Sequence, residues 1–166
     1  MILGLDISTT CTGWAAIEAG GRYVASGVIR PPSKAKLQQR LAFLFPAMQR
    51  IAICYKPHAV AIEDVHVRYA NAAMALGVAR GIVLAALLSE LGADLPITDY
   101  APATIKATVA GHGHASKAKV AAAVMRTLRV DTFASDDESD ACAIALCHLE
   151  KSSAATRCTL AEILGM

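Results

Sequence analysis

Aromatic residues are scarce in this sequence: one Trp, four Tyr and three Phe make up 5% of its 166 residues. Apolar residues of all kinds nevertheless account for 55% of the chain, so the core must be built mainly from Ala, Val, Leu and Ile. A chain of this length can bury such a core without disulfide bonds, and the length favours a single domain.

Signals for disulfides, export and membrane insertion are also lacking. The five Cys residues are odd in number and form no CxxC pair, which favours reduced thiols over a disulfide framework. The opening MILGLD has no basic stretch and reaches an acid at Asp6, unlike a secretory signal. No apolar run approaches the ~20 residues of a membrane span. We therefore expect a soluble cytoplasmic protein with no membrane partner.

Strong charge of either sign is missing too. The net charge of +2 permits a nucleic-acid partner but does not by itself indicate one. The sequence contains no low-complexity segment, long linker or internal repeat, so composition marks no domain boundary.

Hydrophobic periodicity predicts an α/β domain. Short apolar or β-rich runs predict five strands, over residues 2–6, 12–18, 22–29, 59–63 and 95–99. Helical spacing predicts four helices, one beginning after a cap at Ser33 and the others over residues 72–91, 116–128 and 136–150. This order predicts a five-stranded mixed sheet flanked by helices.

Four acidic residues occupy positions that invite a chemical explanation. Asp6 ends the first predicted strand and Glu63 the fourth, where ligand sites of open α/β sheets lie. Asp137 and Asp140 lie on the core-facing side of the last predicted helix. Unpaired carboxylates in a dry pocket repel one another and raise one another's pKa, a conflict that divalent cations resolve. Mg²⁺ prefers oxygen ligands, and two such ions ~4 Å apart can clamp an in-line displacement at phosphorus.

The motifs around these acids resemble a known family. The segments ILGLDISTTCTGWAAIE, AVAIEDV, ALGVARG and DESDACAIA are similar, in order and spacing, to those of the RuvC-type Holliday junction resolvases of the ribonuclease H-like superfamily. The resemblance extends from about Ile2 to Glu150 and leaves residues 151–166 as a tail of unknown role. Two departures are the Ile7-Ser8 pair, where the family has Pro-Gly, and a slightly shorter loop after Glu63.

This resemblance implies a ribonuclease H-like nuclease domain over residues 1–150. It also implies a homodimeric, Mg²⁺-dependent endonuclease that cuts four-way DNA junctions, with two ions per site and Mn²⁺ as a substitute. A branch-migration helicase is an expected partner. The positions that match the family's catalytic acids, which are also its metal ligands, and its active-site lysines are Asp6, Glu63, Asp137, Asp140, Lys106 and Lys117.

The loop after Glu63 is a candidate for junction recognition. A stacked aromatic ring contributes ~1–3 kcal/mol per base and can probe the unstacked centre of a junction. In the family an aromatic wedge occupies this loop, and we assign that role to Tyr69, with His66 as the alternative. Arg68 is a candidate contact to a phosphate.

A stripe of small residues marks the helix predicted over residues 72–91. Ala73, Gly77, Gly81 and Ala85 recur every four positions and would let another helix come close. A C₂ dimer presents two identical sites, as paired cuts in a symmetric junction require. In keeping with the family, we predict a homodimer through this helix; the alternative is that the stripe packs on the protein's own sheet.

Other functions stay open at the level of sequence. A related nuclease that processes structured RNA is one alternative, because the acids do not distinguish DNA from RNA. A junction-binding module without activity is another, although clustered acids would have no use there. Ser8, Thr9 and Thr10 could form either a phosphate loop of an actin-like ATPase or a polar hairpin turn, but such an ATPase would need a second domain.

Zinc is a further alternative. The candidate ligands fit no standard zinc spacing, and cysteines on an apolar helix are usually packed thiols. The candidates are His112, His114, His148, Cys142 and Cys147.

Overall fold

The computed structural model describes residues 1–64 and 69–164, and the side chains of residues 155–164 lie outside this description. The elements, in chain order, are β1 (Ile2–Asp6), β2 (Thr12–Ile17), β3 (Tyr23–Ile29), α1 (Leu37–Tyr55), β4 (Ala59–Glu63), α2 (Ala70–Leu91), β5 (Ile97–Tyr100), α3 (Pro102–Ala110), α4 (Lys117–Leu128) and α5 (Asp136–Leu164).

The strands form one mixed sheet in the order β3-β2-β1-β4-β5. The first three strands form an antiparallel meander, whereas β4 pairs parallel with β1 and β5 pairs parallel with β4. The predicted five-stranded mixed sheet is confirmed. Because β1 and β4 are parallel neighbours, their carboxyl ends meet at one edge near the centre of the sheet.

Helices cover both faces of the sheet, which explains why its central strands are apolar throughout. Leu3 and Leu5 of β1 pack with residues of α1 and α2 in one core. Ile2, which points to the opposite face, packs with residues of α3, α4 and α5 in the second core. The side-chain alternation of β1 thus serves two separate cores.

Two glycines let α5 lie directly on the sheet. A Cβ at Gly4 of β1 would lie 2.3 Å from the carbonyl oxygen of Ala141. A Cβ at Gly13 of β2 would lie 2.0 Å from the carbonyl oxygen of Asp137. Real Cβ atoms do not approach backbone oxygens so closely, so any side chain at either position would push α5 away from the sheet.

Several boundaries differ from the sequence-based expectation. Helix α1 begins at Leu37 and not after Ser33, because Gln39 Oε1 accepts a hydrogen bond from the Lys36 backbone N–H (2.9 Å) and so forms the cap. Helix α5 continues to Leu164 through most of the segment expected as a tail. Helix α3 was not predicted at all, and it carries Lys106.

Helix α2 has the length and composition of a membrane span, contrary to the expectation that no apolar run approaches one. Its buried side, formed by Ala79, Val83, Ala86 and Leu87, packs in the core with α1 and the sheet. The opposite side is exposed and includes Met74 and Val78. The same length and composition are also found in helices of soluble proteins.

Candidate active site

The sheet brings two of the predicted acids together. Leu5 of β1 is paired with Ile62 of β4, so the next residues, Asp6 and Glu63, leave adjacent parallel strands at the same edge. This edge is where ligand sites of open α/β sheets lie.

The first turns of α5 deliver the other two acids. Ser135 Oγ accepts a hydrogen bond from the backbone N–H of Glu138 (3.3 Å), one half of a capping box. The Glu138 carboxylate, however, accepts from the Ala134 N–H (2.7 Å) and from the Ser26 hydroxyl of β3 (2.6 Å). Glu138 is buried and therefore anchors the start of α5 to the sheet, a role that sequence reasoning missed.

The position of Asp137 depends on Gly13. In the antiparallel pairing of β1 with β2, Gly13 lies opposite Asp6. Because Gly13 has no side chain, the backbone of α5 at Asp137 approaches β2 at that point. The glycine thereby brings the acid of α5 beside the acid of β1.

All four predicted acids form one electrostatic cluster. Burial, followed by the charges of Asp140, Glu63 and Asp137, raises the pKa of Asp6 from 3.8 to about 7. Burial and the charge of Asp140 likewise raise the pKa of Glu63. Asp6 lies at the centre of this cluster, since its pKa responds to each of the other three carboxylates.

Both predicted lysines lie beside the acids. Lys117, at the start of α4, donates from Nζ to Asp140 Oδ2 at 3.1 Å, and this hydrogen bond raises the pKa of the lysine. Lys106 and Lys117 both act against the rise in the pKa of Glu63. The two lysines, Glu63 and Asp140 line one cavity of about 260 Å³ beside α3 and α4.

The donor set fits a hard divalent cation. All four side chains offer carboxylate oxygens, the ligands that Mg²⁺ prefers, and their mutual repulsion is relieved by a cation. Among the described residues, no three His, Cys, Asp or Glu side chains stand close enough together to enclose an ion as they are. Carboxylates that raise one another's pKa do not converge without positive charge between them. The acids are coupled electrostatically, and a bound cation would supply the positive charge that lets their oxygens converge.

The remaining predicted residues belong to the loop after Glu63. Tyr69 precedes the first residue of α2, and 77% of its surface is exposed. His66 and Arg68 lie outside the described residues.

Two alternative sites lose support. The segment from Ser8 to Thr12 is a polar hairpin turn bonded to itself: the Ser8 hydroxyl donates to the Cys11 carbonyl at 2.7 Å, and the Thr12 hydroxyl donates to the Ser8 carbonyl at 2.9 Å. For zinc, Cys142 and Cys147 are fully buried among apolar residues of one core, as packed thiols are. His148 Nδ1 shares a hydrogen bond with the Tyr100 hydroxyl at 3.0 Å.

One charged neighbour of the acids was missed. Arg30, immediately after β3, has a guanidinium nitrogen 3.7 Å from Asp137 Oδ2. No motif surrounds Arg30 in the sequence, and only the folded sheet brings it to this edge.

Comparison with known proteins agrees with this geometry. The family model for crossover junction endodeoxyribonuclease RuvC matches residues 2–148. The chain belongs to the RuvC family. It is 38% identical to the RuvC of Alkalilimnicola ehrlichii over 94% of both chains. It is 40% identical to the RuvC of Halorhodospira halophila over 92% of both chains.

The fold agrees with a solved RuvC structure. Thermus thermophilus RuvC in complex with a Holliday junction substrate superimposes with a TM-score of 0.83 at 28% sequence identity, covering 93% of this chain and 96% of that one. The expected ribonuclease H-like fold of the RuvC family is thereby confirmed.

Proposed function

We propose that this chain is a structure-selective endonuclease that resolves four-way DNA junctions by hydrolysing phosphodiester bonds in paired cuts. The observation that carries the proposal is the acid cluster centred on Asp6, at the edge where β1 and β4 end. Membership of the RuvC family and the likeness to a RuvC that binds a Holliday junction support DNA as the substrate.

The four acids are the residues that would hold the metal ions, for which we propose two Mg²⁺ with Mn²⁺ as a substitute. When bound, such ions polarise the phosphate and make water a better nucleophile. Asp6 is expected to be the most sensitive ligand, because its charge is coupled to those of Glu63, Asp137 and Asp140.

The lysines supply positive charge for the phosphate. The Lys117 side chain is 72% exposed although it contacts Asp140. If Asp140 held a cation, the exposed Lys117 ammonium would be available to stabilise the charge that develops on the phosphate. Lys106, on the wall of the same cavity, adds a second cation near Glu63.

We propose that two copies of the chain pair through α2. Ala73, Gly77, Gly81 and Ala85 are all exposed, so the stripe does not pack on the protein's own sheet. A Cβ on Gly77 or Gly81 would meet no atom within 4 Å, which leaves room for the close approach of a second helix. A C₂ dimer built on this face would present two active sites to one junction.

The substrate and the site can be tested in one assay. We would incubate the protein with four-way, flap and duplex DNA and with structured RNA, each with Mg²⁺ and with a chelator. We expect cutting of the four-way DNA junction only, and only with Mg²⁺. Cutting of RNA in place of the DNA junction would favour the alternative of an RNA-processing nuclease.

Variants separate chemistry from binding in the same assay. Asp6→Asn is expected to abolish cutting while leaving junction binding largely intact. Asp94→Asn, at an exposed acid between α2 and β5, is the matched control and should cut normally. The proposed site would be wrong if Asp6→Asn and Asp140→Asn both cut at the wild-type rate.

A further inference from the structure

A second positive flank borders the acid cluster on the side away from the two lysines. Lys106 lies on α3, which follows β5, whereas Arg30 follows β3; these strands are the two edges of the sheet. Asp6 in β1 and Arg30 after β3 are two strand spacings apart across the sheet, with β2 between them, a distance of about 10 Å. Positive charge thus lies on both sides of the acids.

Local sequence fixes the place of Arg30. Ile29, its neighbour in β3, is buried and paired with Thr12, so the chain leaves the sheet beside the β1–β2 turn. The next residue, Pro31, is buried as well and restricts the backbone of Arg30 to extended conformations. The Arg30 side chain itself is 60% exposed.

Few of the Arg30 donors are engaged. A guanidinium carries five N–H donors, and Arg30 gives one hydrogen bond, to Cys11 Sγ at 3.3 Å. A guanidinium nitrogen of Arg30 lies 3.7 Å from Asp137 Oδ2, a distance that fits an ion pair but is too long for a hydrogen bond. Arg40 differs, because its guanidinium donates to the carbonyls of Ala35 and Ser33 at 2.9 and 3.2 Å and so holds the loop before α1.

Arg30 forms one wall of an open cavity of about 340 Å³. The remaining walls come from the β1–β2 turn, from the segment that leads into α1 and from the first turn of α1: Thr10, Cys11, Pro31, Pro32, Ser33 and Arg40. Arg30 and Arg40 both place a positive charge on the cavity wall, which would attract a phosphate. The Thr10 and Ser33 hydroxyls could donate hydrogen bonds to it.

We propose that Arg30 and this cavity form a phosphodiester subsite, which binds the backbone of the cut DNA strand near the scissile phosphate, on the flank opposite Lys106 and Lys117. The distance of about 10 Å places the contact within about three nucleotides of the cut, at a rise of ~3.4 Å per nucleotide. The 3.7 Å ion pair with Asp137 and the one hydrogen bond to Cys11 leave most of the guanidinium donors open to a phosphate, whether or not a metal ion is bound. The inference rests on the proposed function.

The test is the salt dependence of junction binding, measured in chelator so that nothing is cut. Loss of one phosphate contact lowers the slope of log affinity against log salt by about 1. We expect this change for Arg30→Ala, with affinity at low salt reduced about 3- to 10-fold, and a near-normal slope for Arg30→Lys. The control is Arg126→Ala, an exposed arginine in the last turn of α4, about 14 Å along that helix from Lys117.

A second measurement separates phosphate binding from a role in holding Asp137. The Mg²⁺ concentration for half-maximal cutting should be unchanged in Arg30→Ala, with melting temperature checked to show that the variant is folded. An unchanged salt slope, or a raised Mg²⁺ requirement with a normal slope, would overturn the subsite. If the wild-type protein itself does not prefer four-way junctions to duplex, the proposed function is wrong, and the inference about Arg30 is wrong with it.

Discussion

At the level of single residues, Asp6 is held in a setting that disfavours its charged form. Burial and the charges of three neighbouring acids raise its pKa to about 7, while Lys117 offsets only part of this effect. A nearby cation lowers the pKa of a carboxylate. The arrangement is therefore unfavourable in the empty protein and becomes favourable when metal binds.

We predict that Asp6→Asn stabilises the metal-free protein at pH 8 by roughly 1–3 kcal/mol. The pKa of Asp6 is raised on folding, so its contribution to stability is complete below about pH 4 and is lost as pH rises through about 7. Denaturant unfolding at pH 5 and pH 8 in chelator measures the loss in wild type and its absence in the variant. Mg²⁺ should reverse the order of stability at pH 8; an identical pH dependence for both proteins would contradict this account.

The ring of Tyr69 is expected to act on the junction without taking part in the chemistry. It is exposed at the start of α2, close in sequence to the strand end that carries Glu63. We expect Tyr69→Ala to slow junction cutting about 10-fold, since stacking contributes ~1–3 kcal/mol per base. Affinity for linear duplex should be unchanged, and Tyr69→Phe should cut normally because it keeps the ring.

The alternative wedge has its own outcome. If Tyr69→Ala cuts junctions normally and His66→Ala does not, the wedge is His66. If neither substitution matters, selectivity comes from the geometry of the dimer.

At the level of elements, the packing of α5 against β1 and β2 determines the positions of Asp137 and Asp140. We predict that Gly13→Ala destabilises the fold by roughly 1–3 kcal/mol, because the new methyl group would meet the backbone of Asp137. Cutting should fall on the order of 100-fold, the cost of displacing a catalytic group by about 1 Å. Gly20→Ala is the control, since a Cβ there meets nothing within 4 Å. Normal cutting by Gly13→Ala would show that the position of α5 tolerates movement.

Elements with strong local signals were predictable, and those set by contacts between distant segments were not. The strands ending in Asp6 and Glu63 follow from short apolar runs that stop at an acid. Helix α3 has nine residues, several of them β-branched, and only Ile105 among them is buried, so its apolar pattern is too short to read. Gly13 and Arg30 gain their roles only because particular strands and α5 meet in the folded sheet.

At the level of the whole molecule, the described residues of one chain contain a single acid cluster, whereas a symmetric junction requires two matched cuts. The exposed face of α2 is the surface suited to bring two clusters together, because its small residues leave room and its Met74 and Val78 side chains are exposed. Burying that face against a second copy would also remove an apolar patch from water.

We predict that Gly81→Leu converts a dimer into a monomer without unfolding the chain. Leucine is a better helix former than glycine by roughly 0.5–1 kcal/mol. A Cβ at Gly81 meets no atom within 4 Å in one copy, so a loss of the dimer would point to the contact between copies. Sedimentation should show the change, and junctions should then be nicked singly. The control is Ala122→Leu, which adds bulk at an exposed position of α4. A wild-type protein that sediments as a monomer at working concentration, with Gly81→Leu altering neither mass nor paired cutting, would contradict the α2 interface.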